Sequence, residues 1–122
     1  MTAPAQSPKV AALAELAARL PGLRLLTAPA DLEHYGRDWT RRWTPAPLAI
    51  ALPATVEEAQ AVLRWANEHG VAVVPSGGRT GLSGGAVAAQ GELVLSLERM
   101  NRVLGFDPIE VLVLPRMLAL VL

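Results

Sequence analysis

The sequence predicts an α+β fold organised around one βαβ unit. Residues 48–52 and 71–74 are short apolar runs, typical of strands covered on both faces of a parallel sheet. The segment between them carries apolar residues at helical spacing, and units of this kind join parallel strands through a right-handed crossover. A glycine-rich stretch follows the second run at once. In open α/β sheets, ligands bind beyond this carboxyl edge of the strands.

Three elements are expected ahead of this unit. Ser7 and Pro8 are residue types preferred at a helix N-cap and at the first helical position, and Pro21 ends the helix. Residues 23–26 are a candidate short strand, and Asp31 is expected to cap a short helix. The apolar face of the first helix is expected to contain Val10, Leu13, Leu16, Ala17 and Leu20.

Residues 35–43 are polar and aromatic without clear periodicity, and they are expected to form an irregular loop along the edge of the domain. The arginines and tryptophans in this segment also allow a nucleic-acid-binding interpretation. The chain has 11 basic and 11 acidic residues, so its charge shows no nucleic-acid or anionic-membrane footprint. A loop packed against the domain is therefore favoured.

The helix of the βαβ unit has signals at both ends. Thr55 and Glu58 form a capping box, in which each side chain accepts a hydrogen bond from a backbone N–H at the start of the helix. Gly70 stands where a glycine ends a helix in the left-handed conformation. The buried face of this helix is expected to contain Val56, Ala59, Val62, Leu63 and Ala66.

Two more strands and an apolar tail are expected after the glycine-rich stretch. Residues 92–97 and 103–107 are strand candidates, and the second leads to a turn at Pro108. Residues 111–122 are almost wholly apolar, and such a segment promotes aggregation when it is exposed. A truncation or a frameshift is our hypothesis for this tail. The expected division is 1–24 for an N-terminal lead-in, 25–110 for the domain portion and 111–122 for the aberrant tail.

The glycine-rich stretch has the composition of an anion-binding loop. Five of the ten glycines of the chain lie within the nine positions 77–85. Glycine is used where the backbone turns with positive φ or approaches another group closely, and a row of N–H groups without side chains forms a concave cradle for a phosphate. Thr80 and Ser83 add hydroxyl groups, and Arg79 adds a positive charge. A flexible loop without a ligand is the alternative interpretation.

Two common phosphate-binding signatures do not match this stretch. The P-loop has four residues between its glycines and then a lysine, whereas the spacing from Gly77 to Gly81 is one residue shorter and the stretch has no lysine. The Rossmann fingerprint opens a helix directly after the first strand. Here the glycines follow the second strand of the unit and lead into another strand.

Several other kinds of site are not expected. The chain has no cysteine, which excludes disulfides, thiol nucleophiles and cysteine-ligated metals. His34 and His69 have no acidic residues at ligand spacing, so each is assigned a structural role and no metal site is expected. No stretch has the length and apolarity of a membrane-spanning helix, and no signal-peptide pattern is present. The expected location is the cytoplasm.

The motifs around the glycine-rich stretch resemble one known family. A helix opens at Thr55 and closes with Asn-Glu-His-Gly at 67–70, and the loop at 76–85 reads Ser-Gly-Gly-Arg-Thr-Gly-Leu-Ser-Gly-Gly. This order resembles the FAD-binding domain of the vanillyl-alcohol oxidase and para-cresol methylhydroxylase (PCMH-type) flavoprotein superfamily. With Tyr-Gly-Arg-Asp at 35–38 and Leu-Ser-Leu-Glu-Arg-Met-Asn at 95–101, it is most similar to the branch of FAD-linked oxidases containing glycolate oxidase subunits and D-lactate and D-2-hydroxyglutarate dehydrogenases.

The resemblance covers residues 25–109 and implies the N-terminal part of a PCMH-type domain, incomplete in this chain, with FAD as cofactor. In this family the glycine loop wraps the FAD pyrophosphate, mostly through backbone N–H groups. The cofactor-binding residues carried over are Pro75, Ser76, Gly77, Gly78, Arg79, Thr80, Gly81, Gly84, Gly85 and Ala86. The Arg79 side chain has two open roles, a phosphate contact or a position in solvent. Those family members that attach FAD covalently do so through His, Cys or Tyr. The chain lacks cysteine and the loop lacks histidine, so non-covalent FAD is expected.

The implied function is the FAD-binding portion of a flavin-dependent oxidoreductase that oxidises a 2-hydroxy acid of the glycolate, D-lactate or D-2-hydroxyglutarate type. In such enzymes the substrate-binding residues and the general base lie in a cap domain far downstream, so no catalytic residue is assigned and the chain alone is expected to be inactive. Two alternatives stay open. One is a stand-alone nucleotide- or anion-binding module completed by a partner chain, and the other is a non-functional truncated product.

Overall fold

The fold consists of a mixed four-stranded sheet with helices on its two faces, followed by a two-stranded antiparallel sheet. It is seen in a computed structural model that describes residues 8–81, 83–107, 109 and 112–115. The elements in chain order are α1 (Pro8–Arg19), β1 (Arg24–Leu26), α2 (Pro29–Tyr35), β2 (Ala49–Leu52), α3 (Val56–His69), β3 (Val73–Ser76), β4 (Leu93–Ser96), β5 (Val103–Asp107) and β6 (Leu112–Pro115). The predicted α+β class is confirmed.

The strand order in the larger sheet is β1-β2-β4-β3. β1 is antiparallel to β2, whereas β2 and β3 are both parallel to β4, which lies between them. Val94 of β4 is therefore in register with Ile50 of β2 on one side and with Val74 of β3 on the other. The two strands of the predicted βαβ unit are parallel as expected, but they are not neighbours. Pro75 fits the edge position of β3, because a residue without an N–H group is tolerated on an edge strand.

α3 has the predicted signals at both ends. The Thr55 hydroxyl oxygen accepts a hydrogen bond of 3.1 Å from the N–H of Glu58, and the Glu58 carboxylate accepts one of 3.3 Å from the N–H of Ala54. In the usual capping box the second donor is the N–H of the N-cap residue. Here the second donor is the N–H of Ala54, one residue before the N-cap. At the other end Gly70 has φ 63°, a left-handed conformation that suits glycine.

The sheet separates two apolar clusters. The larger cluster lies between one sheet face and helices α1 and α3, and the smaller one contains Tyr35 of α2 on the other face. Trp65 lies at the centre of the larger cluster, is fully buried, and donates its indole N–H to the carbonyl oxygen of Ala12 at 2.8 Å. Burial of this indole is favourable because its single polar group is satisfied.

Two predicted apolar faces need correction. Leu63 was expected inside but is 41 % exposed, since the buried stripe of α3 runs through Trp65 on the opposite flank. In α1 the buried residues are Ala12 and Leu16, while Val10 and Ala17 are exposed. The stripes are rotated because Trp65 and Ala12 meet at the contact between the two helices.

Several predicted boundaries also move. α2 begins at Pro29, with proline at the start of the helix and Ala28 as N-cap, so Asp31 lies in its first turn and does not cap it. β3 begins at Val73 and ends at Ser76, two residues later than the apolar run suggests. Pro75 and Ser76 therefore belong to the strand. The segment that follows, residues 77–86, is called the glycine loop.

The second sheet joins β5 to β6 as an antiparallel pair, with the register shifted between Val103 and Gly105. The predicted strand at 103–107 is confirmed. Residues 112–115 of the predicted tail also form a strand. The predicted N-cap at Ser7, the turn at Pro108 and the rest of the tail lie outside the described residues. None of the helices in the described ranges is long and apolar enough to cross a membrane.

Candidate functional site

The glycine loop lies at the carboxyl edge of the three parallel strands. It leaves β3 at Gly77, beside the end of β4, where the N–H of Leu97 donates to the carbonyl oxygen of Ser76 at 3.0 Å. α3 starts after β2 at the same edge of the sheet. The backbone is anchored at this edge, while most of the described residues in 77–81 and 83–85 are exposed. A ligand therefore has access to a loop with a fixed starting point.

The amide groups of the loop are mostly unused within the protein. Between Gly77 and Ala86, the N–H of Gly84 is the only one that donates a hydrogen bond to another residue in the described part of the chain. It donates to Asp38 Oδ2 at 3.2 Å. The other N–H groups of the described loop residues have no acceptor in the described chain and are available to a ligand or to water. Such a row of amides suits an anion with several acceptor oxygens.

The loop combines one constrained glycine with several open ones. Gly84 has φ 82°, and a Cβ atom built there would lie 2.9 Å from Cη2 of Trp43, closer than real Cβ contacts come. A Cβ at Gly77, Gly81 or Gly85 would meet nothing within 4 Å. Gly84 is therefore required by the protein itself. The other three leave free space beside exposed amides, which is the space that a closely bound group needs.

Residues 36–43, here called the bracing segment, hold the loop from one side. The N–H of Ala88 donates to the carbonyl oxygen of Gly36 at 2.9 Å, and the N–H of Trp39 donates to that of Gly81 at 3.4 Å. The Trp43 ring packs against Gly84. The segment is irregular, as predicted, but its contact with the glycine loop was not predicted. Its polar and aromatic composition carries no local signal that would identify the partner.

Asp38 is the buried centre of this contact. Its side chain belongs to a residue only 4 % exposed, and Oδ1 accepts hydrogen bonds from the Thr40 hydroxyl at 2.7 Å and the Thr40 N–H at 2.9 Å. The hydroxyl bond, followed by backbone bonds that include Gly84, lowers the pKa of Asp38 below its usual value. The ionised form is thus favoured, which strengthens its hold on the loop amide.

The Arg79 side chain folds back over α2. Its guanidinium carbon lies 4.8 Å from the centre of the Tyr35 ring, Nη1 donates to the carbonyl oxygen of Gly77 at 3.2 Å, and Nη2 is 3.4 Å from Nε2 of His34. The Tyr35 hydroxyl donates to Oε1 of Glu98 at 2.5 Å, and burial together with this bond raises the pKa of Tyr35. The Arg79 guanidinium is therefore held by a cation–π contact with Tyr35 at a partly exposed position.

The remaining polar candidates have simpler surroundings. Nε2 of His69, at the end of α3, is 3.1 Å from a carboxylate oxygen of Glu15. No group of three side chains able to hold a metal ion occurs among the residues that the structure describes. Ser76 and Ser96 face each other in register at the ends of β3 and β4, and their buried hydroxyl oxygens have no hydrogen-bond partner. These two hydroxyls are polar groups at the same edge as the loop.

A cleft of about 180 Å³ opens beside the loop. Its walls come from α2, the bracing segment and the glycine loop. The lining residues are His34, Arg37, Asp38, Trp39, Arg41, Gly78 and Arg79. The cleft is thus rich in positive charge, because three of these residues are arginines.

Comparison with known proteins agrees with this geometry. A family model described as an FAD binding domain matches residues 47–114, which contain β2, α3, the glycine loop and β4. The chain belongs to this FAD-binding family. FAD is therefore its cofactor, and the resemblance to FAD-linked oxidases is confirmed. The match includes residues 111–114, which lie in the predicted aberrant tail.

The similar proteins are much longer than this chain. A D-2-hydroxyglutarate dehydrogenase of Xanthomonas citri pv. viticola is 77 % identical over 91 residues, which are 75 % of this chain and 19 % of that protein. The D-2-hydroxyglutarate dehydrogenase of Stutzerimonas stutzeri is 49 % identical over 110 residues, covering 90 % of this chain and 22 % of that protein. The chain thus spans about a fifth of the length of these relatives.

The fold is also found in a solved structure. The structure of p-cresol methylhydroxylase with substrate bound superposes with a TM-score of 0.66 at 24 % identity, over 84 % of this chain and 21 % of that one. This likeness confirms that the chain has the fold of part of a PCMH-type domain. The superposed region is 21 % of the solved chain, which is close to the 19 % and 22 % of the two dehydrogenases that the sequence matches cover.

Proposed function

We propose that this chain is the FAD-binding portion of a flavin-dependent oxidoreductase that oxidises a 2-hydroxy acid. Membership of the FAD-binding family and its similarity to two proteins named D-2-hydroxyglutarate dehydrogenase support the proposal. The observation that carries it is the row of unused amides between Gly77 and Ala86 at the carboxyl edge of the sheet. A pyrophosphate offers the acceptor oxygens that these amides lack.

The loop residues have different roles in this proposal. Gly77, Gly78, Gly81 and Gly85 supply amides that a phosphate can approach closely, because these residues have no side chains of their own. Gly84 shapes the turn, because its own N–H already donates to Asp38. The remaining contacts are proposed for Pro75, Ser76, Arg79, Thr80 and Ala86.

FAD, when bound, supplies the hydride acceptor for oxidation of the substrate. The residues of this chain bind and orient it, and none of them is assigned to proton transfer or to substrate binding. Those groups are proposed to lie in the part of the longer relatives that this chain does not match. Non-covalent attachment stays a prediction, as do the cytoplasmic location, a complementing partner chain, and the boundaries at residues 24 and 110.

An FAD titration with two matched valine variants tests the proposal. Gly81 and Gly22 both have open space around a Cβ and no positive φ, so valine is tolerated by the fold at either position. Gly22 lies between α1 and β1, outside the glycine loop. Blocking one charge-assisted hydrogen bond, worth about 1.5–3 kcal/mol, is expected to raise the Kd for FAD at least about tenfold in Gly81→Val. Gly22→Val is expected to bind like the wild type.

Flavin fluorescence gives the Kd, and far-UV circular dichroism reports whether each variant is folded. A folded chain that does not bind FAD would contradict the proposal and favour a nucleotide- or anion-binding module with another ligand. Equal binding by both variants would contradict the assignment of the pyrophosphate to this loop. An unfolded wild-type spectrum would favour the truncated, non-functional alternative.

A further inference from the structure

The cleft beside the glycine loop is lined by more basic than acidic side chains. Arg37 and Arg41 come from the bracing segment and Arg79 from the loop, and all three line the same cleft. No ion pair to a carboxylate is formed by any of them within the described ranges. Asp38 is the acidic residue that lines the cleft, but Thr40 and Gly84 already donate to its two oxygens. Like charges held together in this way favour an anion between them.

The backbone supports the same conclusion. Arg41 has φ 55° and Arg79 has φ 56°, and they are the only non-glycine residues with positive φ in the part of the chain that the structure describes. Both line this one cleft. Side chains other than glycine rarely adopt this conformation, and such residues cluster at binding and catalytic sites. Two separate segments are therefore held in an unfavourable conformation at residues that line the same cleft.

Trp39 adds a flat apolar surface to the cleft. Its side chain belongs to a residue that is 73 % exposed, although its backbone N–H is tied to the carbonyl oxygen of Gly81 at 3.4 Å. The indole is thus held close to the loop while its surface remains open. A tryptophan beside arginines is a suitable surface for a base that carries phosphates, since bases stack on aromatic rings and guanidinium groups bind phosphate oxygens in pairs.

We infer that the bracing segment forms the second wall of a nucleoside-diphosphate site. Arg37 and Arg41 bind the phosphates that the amides of the glycine loop cradle, and Trp39 stacks on the base. The inference rests on the proposed function for the larger ligand, FAD, whose ADP half would occupy this site. It assigns binding roles to three residues outside the glycine loop, and it predicts that ADP alone binds.

Titration of the full chain by calorimetry tests the inference with ADP, inorganic pyrophosphate and FAD as probes. Arg37→Gln and Arg41→Gln are each expected to weaken all three probes about tenfold, because each removes a charge-assisted contact. Trp39→Leu is expected to weaken ADP and FAD about tenfold and to leave pyrophosphate unchanged, because only the base stacks. Arg64→Gln, on the exposed face of α3, is the matched control with no expected effect.

A second variant separates binding from folding. Glycine is favoured at the positive φ of Arg41, so Arg41→Gly relieves the backbone while it removes the charge. Arg41→Gly is expected to be at least as stable as the wild type and yet to bind ADP more weakly than the wild type does. The inference would be overturned if Arg64→Gln lost as much affinity for the probes as the cleft variants do. It would also be overturned if Arg41→Gly and Trp39→Leu bound ADP as tightly as the wild type.

The outcomes for the two proposals are distinguishable. If Gly81→Val loses FAD while the three cleft variants bind it normally, the cleft inference is wrong and the proposed function stands. If ADP binds and the cleft variants lose it while FAD does not bind the wild type, the cleft inference holds and the proposed function is wrong. If a folded wild-type chain binds none of the probes, the cleft inference is overturned as well.

Discussion

Two adjacent glycines offer a sharp test of how the loop is held. Gly84 and Gly85 both lie in the exposed loop, but only Gly84 has a positive φ and a neighbour where its Cβ would be. A left-handed conformation costs an alanine roughly 1–2 kcal/mol. The new Cβ would lie 2.9 Å from Cη2 of Trp43 and 3.2 Å from Cζ2 and Cζ3, so the ring has to shift.

The cost of that shift is at the lower end of the range for overpacking. Overpacking of a core costs about 1–3 kcal/mol, and Trp43 is 41 % exposed and has solvent to move into. Gly84→Ala is therefore expected to lower the free energy of unfolding by about 2–3 kcal/mol. Gly85→Ala meets no atom and no strained φ, and it is expected to raise this free energy by about 0.4–1 kcal/mol because it restricts the unfolded chain.

Urea denaturation followed by circular dichroism measures both values. A double variant, Gly84→Ala with Trp43→Ala, removes the contact and leaves the backbone strain, so a double-mutant cycle separates the two contributions. Equal effects of Gly84→Ala and Gly85→Ala would refute the reasoning, because only Gly84 has a positive φ and a contact with Trp43.

Two further predictions concern the groups that hold the loop and the helix behind it. Because the pKa of Asp38 is lowered in the folded chain, its carboxylate contributes stability that is present above the unfolded pKa of about 3.9 and is lost as the pH falls through the lower folded pKa. The difference in unfolding free energy between the wild type and Asp38→Asn, measured by urea denaturation, is expected to be present at pH 7. It is expected to shrink as the pH falls below about 3.9. A difference that does not depend on pH would contradict this. Thr55→Ala removes the N-cap hydrogen bond of α3 and is expected to lower the free energy of unfolding by about 1 kcal/mol. Thr55→Ser keeps a hydroxyl at this position and is expected to retain most of that free energy. Equal destabilisation by the two variants would contradict the capping role.

The local signals in the sequence were sufficient for the elements around the site. Thr55 and Gly70 mark the ends of α3 because caps depend on residues within one turn of the helix. The apolar run at β2 and the row of glycines after β3 are likewise readable without knowledge of the rest of the chain. These features carried the prediction of an α+β fold and the resemblance that implies FAD as cofactor, and membership of the FAD-binding family confirms the cofactor. The assignment of FAD to the loop itself stays a prediction.

The partners of these elements were decided only by tertiary structure. β4 lies between β2 and β3, and Trp65 replaces Leu63 in the core because it meets Ala12, 53 residues away. The bracing segment reaches the glycine loop across a separation of 46 residues, through Asp38 and Gly84. Contacts at such separations depend on strand order and on the rotation of packed helices. Propensity and periodicity depend only on residues that are near one another along the chain. They therefore predict where the glycine loop lies, but they do not predict which distant residues hold it in place.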